Sequence, residues 1–102
     1  MTEIEFDRLE LSLTVRGHAD CAEEGKDIVC AGISAVFFSV PAVLREKGFK
    51  YYADAEKGFA TVQAYPASEE RHSCIMIFET ALAGLKELAK HYPEYVTIKR
   101  EG

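Results

Sequence analysis

From Ile28 to Leu44 the chain runs for 17 residues without a charged side chain. Nothing else in the sequence restricts the fold as much. A run of this length predicts a helix, because buried strands are about 4–8 residues long. The helix is expected over residues 28–47, with Asp27 as its N-cap and Arg45, Lys47 and Gly48 marking its end. Since it is apolar on every side, it must be covered on more than one. A sheet is expected on one face, and a second helix or a second subunit on another. A membrane span is not expected, because Gly32, Ser34, Ser39 and Pro41 interrupt the run and no basic or aromatic flank precedes it. Pro41 is expected to kink the helix by removing one hydrogen bond and crowding the preceding turn.

The rest of the chain supplies material to cover it. Ile4 and Phe6, then Leu9, Leu11, Leu13 and Val15, alternate with polar residues. That period of two predicts a hairpin over residues 2–16, turning near Asp7-Arg8 and ending at Gly17. Residues 49–53 and 59–65 read as two more strands around Glu56-Lys57-Gly58, with Gly58 in the left-handed position of a three-residue loop. Ser68 is the expected cap of a second helix, with Glu69 and Glu70 in its first turn. Ile75, Phe78, Leu82, Leu85, Ala89 and Tyr92 form its apolar stripe, Pro93 stops it, and residues 95–99 make a last strand. The order is ββαββαβ. This is an α+β, two-layer fold: a mainly antiparallel sheet with two helices packed on it, as one domain over residues 1–102.

Charge and cysteine content narrow the function. The net charge is −5, which argues against direct nucleic-acid binding, a process driven by clustered Lys and Arg. Residues 1–27 hold eight acids and three bases, so they carry the whole imbalance. They read either as a solvated edge or as a field for a basic partner. Three cysteines cannot all pair, and the acidic N-terminus lacks the basic start of a secretory signal. Both features suit a reducing, cytoplasmic setting.

The chemistry is concentrated in Gly17-His18-Ala19 and Gly25-Lys26-Asp27-Ile28-Val29-Cys30. Cys30 falls in the first turn of the expected helix. A free thiol has a pKa of about 8.5, and a helix N-terminus and an imidazolium both favour its anion. His18 lies where a strand gives way to a loop that returns to that helix. Strand end and helix start can therefore bring imidazole and thiol together, as a Cys/His nucleophile requires, with helix N–H groups available to an oxyanion. Each residue also has a plainer role. Cys30 can be a buried small hydrophobe, His18 a solvated surface residue, Asp27 a cap, and Ser34 a hydroxyl bonded to its own helix. Cys21 and Cys30 can pair reversibly. A zinc site from His18, Cys21 and Cys30 lacks a specified fourth ligand, and no metal is expected. Cys74 is expected in the core, and His91 suits a helix C-terminus.

Taken in order, Gly17-His18-Ala19, an acidic loop and Gly25-x-Asp27-Ile28-Val29-Cys30-Ala31-x-x-Ser34 resemble the ribosomal-processing cysteine protease (Prp, or YsxB-like) family. The resemblance implies a small cytoplasmic, homodimeric thiol protease that removes a short N-terminal extension from a large-subunit ribosomal protein. It needs no cofactor, and its substrates carry apolar and aromatic residues before the cut. His18 would be the general base and Cys30 the nucleophile, with Asp27 and Ser34 supporting. The loop from Gly17 through Ala19, Asp20 and Cys21 to Gly25 would move to admit the peptide. This chain departs from many members in having no aromatic residue in that loop, and in having Phe37, Phe38 and Pro41 along the helix. Two other classes compete: a dimeric, non-catalytic module that binds ribosomal proteins, and a redox sensor using Cys21 and Cys30.

Overall fold

The computed structural model describes residues 1–17 and 26–102, with the side chains of Lys26 and Asp27 outside that description. The strands are β1 (Thr2–Asp7), β2 (Ser12–Arg16), β3 (Tyr51–Glu56), β4 (Phe59–Ala64) and β5 (Val96–Glu101). The helices are α1 (Lys26–Lys47) and α2 (Arg71–His91), and a short 3-10 turn, Ser68–Glu70, leads into α2. The sheet order is β3-β4-β2-β1-β5. Three pairings are antiparallel, and β5 joins β1 in parallel with a register shift between Ile4 and Glu5. The expected ββαββαβ, two-layer architecture is the one observed.

Period-two alternation decides which face of the sheet is covered. Ile4, Phe6, Leu13, Val15, Ala60, Val62 and Ala64 point to the helices and are buried. From α1 they meet Val29, Ile33, Phe37, Val40 and Leu44, and from α2 Cys74, Phe78 and Leu85. The spacing of those α1 residues is a helical stripe, so only one side of the uncharged run enters the core. A second side packs on α2, as expected, with Gly32 against Leu88 and Val36 against Gly84, and the rest stays outside, with Ile28 69% and Phe38 47% exposed. α1 runs without a break through Pro41.

The opposite face of the sheet is open and polar. Arg16 pairs with Glu5 (3.3 Å), Lys99 with Glu3 (3.6 Å) and Arg100 with Asp7 (3.3 Å). The acids of β1 are therefore neutralised by neighbouring strands. For Glu3, Glu5 and Asp7 the structure favours the solvated-edge reading over a field for a basic partner.

Several boundaries differ from expectation. Leu9 is 80% exposed in the turn between β1 and β2 rather than in a strand. Leu11 is fully buried but sits at φ +52°, the left-handed region that lets a four-residue turn close. β3 continues to Glu56, so the loop before β4 is Lys57-Gly58 alone, with Gly58 at φ +79° as anticipated. Pairing with β4 overrides the low strand propensity of Asp54, Ala55 and Glu56. Ser68 is not the cap of α2. Glu70 is the N-cap residue of α2, and Ala67 that of the 3-10 turn, where the backbone N–H of Ala67 donates to the Glu70 carboxylate at 2.9 Å.

Candidate active site

The site is built where β2 ends. Gly17 has φ +86°, and its backbone N–H donates to the Gly58 carbonyl at 2.8 Å. A β-carbon there would lie 2.6 Å from the Met1 carbonyl oxygen. Both facts require glycine at this position. The chain therefore leaves the sheet toward His18 at one fixed point, held by the β3–β4 hairpin on one side and the N-terminus on the other.

α1 begins at the same end of the sheet. Phe37, Phe38, Pro41 and Arg45 line one groove with Tyr51, Ala53, Asp54 and Ala55, and only residues 48–50 separate the end of α1 from the start of β3. Thus β3 returns antiparallel to α1, and the first turn of α1 faces the Lys57-Gly58 end. That is the end to which Gly17 is bonded.

Cys30 is the fifth residue of α1 and is 9% exposed. The helix starts at Lys26, so Asp27 is its second residue and not its N-cap. This shifts the electrostatic argument. Cys30 opens the second turn, just beyond the amides of residues 26–29 at the start of α1. The macrodipole acts on it more weakly than at a third position, while those amides remain donors for an anion beside it. Ser34 is half-buried one turn further along, on the same face as Cys30.

Cys30 is disulfide-bonded in this structure. A thiol nucleophile is released from such a bond only by reduction. Cys74 is a free cysteine, fully buried on α2 as expected. Burial pushes its thiol pKa up, and nearby Glu70 adds to the rise while Arg71 opposes it. Its chemistry is that of an inert core residue. His91 Nδ1–H donates to the Glu87 carbonyl (2.8 Å) at the end of α2, and His72 is exposed. Among the described residues no cluster of potential ligands could hold a metal ion.

His18, Ala19, Asp20, Cys21 and Gly25 lie outside the described residues. The structure thus fixes the two ends of the expected site, Gly17 and Cys30, together with Ser34. Sequence reasoning missed the contribution of Met1, whose carbonyl forbids a side chain at position 17. Only three-dimensional proximity reveals it.

A sequence profile of the family described as cysteine protease Prp matches residues 1–97. This chain belongs to the Prp family of cysteine proteases. The ribosomal processing cysteine protease Prp of Bacillus subtilis is 33% identical over 93 residues, covering 86% of this chain and 83% of its own. That of Mycoplasma genitalium is 30% identical, covering 87% of both chains. In fold, the chain matches the essential ribosomal processing protease Prp from S. aureus, solved with a substrate peptide, at a TM-score of 0.79 and 22% identity. That match covers 98% of this chain and 97% of the other. The resemblance carried by the GHA and GxDIVCA segments is thus a family membership, and the chain is a cysteine protease. The Prp match encloses both His18 and Cys30.

Proposed function

We propose that this Prp-family chain is a cytoplasmic thiol endopeptidase that removes a short N-terminal extension from a large-subunit ribosomal protein precursor. The observation that carries the proposal is the family match across residues 1–97, shared with relatives named ribosomal processing proteases. The placement of Cys30 beside the first-turn amides of α1 supports it.

The reaction uses this chain's own groups. His18 takes the proton of the reduced Cys30 thiol, and the thiolate sulfur attacks the scissile carbonyl carbon. The oxygen becomes an oxyanion, held by backbone N–H groups at the start of α1. As the tetrahedral adduct collapses, the C–N bond breaks and His18 gives its proton to the leaving amine. His18 then deprotonates a water, which hydrolyses the thioester and returns the thiol. Asp27 and Ser34 support the dyad. No metal or organic cofactor takes part.

A homodimer is part of the same proposal. The outer side of α1 and α2 carries an apolar groove of about 500 Å³, lined by Ala35, Ser39, Val43, Ile77, Thr80 and Gly84. A second copy would cover it together with exposed Phe38 and Met76. Incubation of the reduced protein with the precursor, followed by mass spectrometry, tests the activity. Sedimentation of the same sample tests the dimer.

A further inference from the structure

We propose that the free edge of β3 is a docking strand for an extended peptide whose side chains alternate apolar and basic. This rests on the protease reading and adds to it a surface that selects the substrate.

β3 ends the sheet, with β4 as its neighbour. In an antiparallel pair, residues alternate between those bonded to the partner strand and those whose N–H and C=O point away from it. The Lys50 carbonyl accepts from Tyr65 N–H at 2.9 Å. Counting from there, Tyr52, Asp54 and Glu56 bond to β4. Tyr51, Ala53 and Ala55 turn their backbone groups to the free edge. These three residues, together with Asp54, also line a groove of about 300 Å³ with Phe37, Phe38, Pro41 and Arg45 of α1. One row of residues therefore presents both a backbone template and a slot walled by Phe37, Phe38 and Pro41. Alanines at 53 and 55 keep the slot open. A peptide added to this edge would place every second side chain against Phe38 and Pro41.

Its other side chains would fall on the open face, beside Asp54 and Glu56. Both are exposed, and neither has an ion-pair partner among the described residues. The acids of β1, by contrast, are paired. Of the two edge strands, β5 has its charged side chains Lys99, Arg100 and Glu101 paired, so the unpaired acids lie on β3 and call for Lys or Arg in the peptide. The groove, at about 300 Å³, has the volume for one or two large side chains. β3 runs toward the hairpin whose Gly58 carbonyl bonds Gly17.

The test uses the full-length, reduced Cys30→Ser chain and a fluorescein-labelled ten-residue peptide alternating Phe and Lys, read by anisotropy. Ala53→Pro removes an outward N–H without touching the β4 ladder, and should weaken binding by about tenfold or more. Asp54→Asn with Glu56→Gln should weaken it severalfold and flatten its salt dependence. Peptide addition should also slow hydrogen exchange at the Ala53 and Ala55 amides in the chain without β3 substitutions, which keeps the test independent of how Ala53→Pro folds. No binding, binding unchanged by Ala53→Pro in a folded variant, or unprotected amides would each overturn the proposal. So would a dimer that Ala53→Pro converts to monomer without any peptide effect, since a second copy would then hold the edge. Cleavage of the precursor by the wild-type chain is scored separately. A protease that cuts but ignores the β3 variants loses only this inference, whereas an uncut precursor sinks the activity itself.

Discussion

The carbonyl oxygen of Met1 lies 2.6 Å from the point that a β-carbon on Gly17 would occupy. Since φ at Gly17 is +86°, any side chain there meets backbone strain and a backbone clash together. Gly17→Ala should therefore cost about 1–3 kcal/mol of stability, read as a lower urea midpoint. It should also lower the cleavage rate, because the chain departs for His18 from a displaced point. Wild-type stability in this variant would contradict the placement of β2 against the N-terminus.

Loss of either member of the dyad should be far more damaging to rate than to fold. Cys30→Ser and His18→Ala should each reduce cleavage by about 10³-fold or more, with circular dichroism unchanged. Ser34→Ala, one turn from Cys30, should cost about tenfold or less. A variant at position 18 or 30 that keeps full activity would remove that residue from the mechanism.

Because Cys30 is disulfide-bonded in this structure, activity should be low without reductant and appear on addition of a dithiol. After reduction, iodoacetamide at neutral pH should label Cys30 well before Cys74, which is buried with its pKa raised. Peptide mapping by mass spectrometry reads both sites. The raised pKa of Cys74 also has a sign. The folded state holds its proton at a pH where the unfolded thiol has lost it, so its contribution to stability falls as pH rises above about 9. Cys74→Ala should flatten the alkaline limb of a stability–pH curve. Equal labelling of the two thiols would contradict the contrast drawn between them.

Leu11 offers a test of the β1–β2 turn. Its side chain is fully buried, while its φ is +52°. Leu11→Ala should cost about 2–4 kcal/mol through the lost side chain. Leu11→Gly loses the same side chain but relieves about 1 kcal/mol of left-handed strain. The glycine variant should therefore be at least as stable as the alanine variant, the reverse of their usual order in a strand. Denaturation midpoints of the two decide it.

Much of this architecture is legible in the amino-acid sequence. The period-two runs at Ile4–Phe6 and Leu11–Val15 and the uncharged run at 28–44 each carry their own geometry, because burial on one face imposes a periodicity on the chain. Where the sequence misleads, tertiary pairing is the reason. Asp54-Ala55-Glu56 looks like a turn in isolation and becomes strand through its ladder with β4. Asp27 has the chemistry of a cap, yet the helix begins one residue earlier. Cys30 and Ser34 follow from their spacing on one helix. The need for glycine at 17 comes from Met1, at the far end of the hairpin, and no local pattern encodes it.

The central claim is tested most directly by mass spectrometry of the ribosomal protein precursor after incubation with the reduced wild-type chain and, separately, with Cys30→Ser. The account predicts a single N-terminal truncation by the wild type and an intact precursor with the variant. An intact precursor with the folded, reduced wild type, or the same truncation by Cys30→Ser, would contradict it.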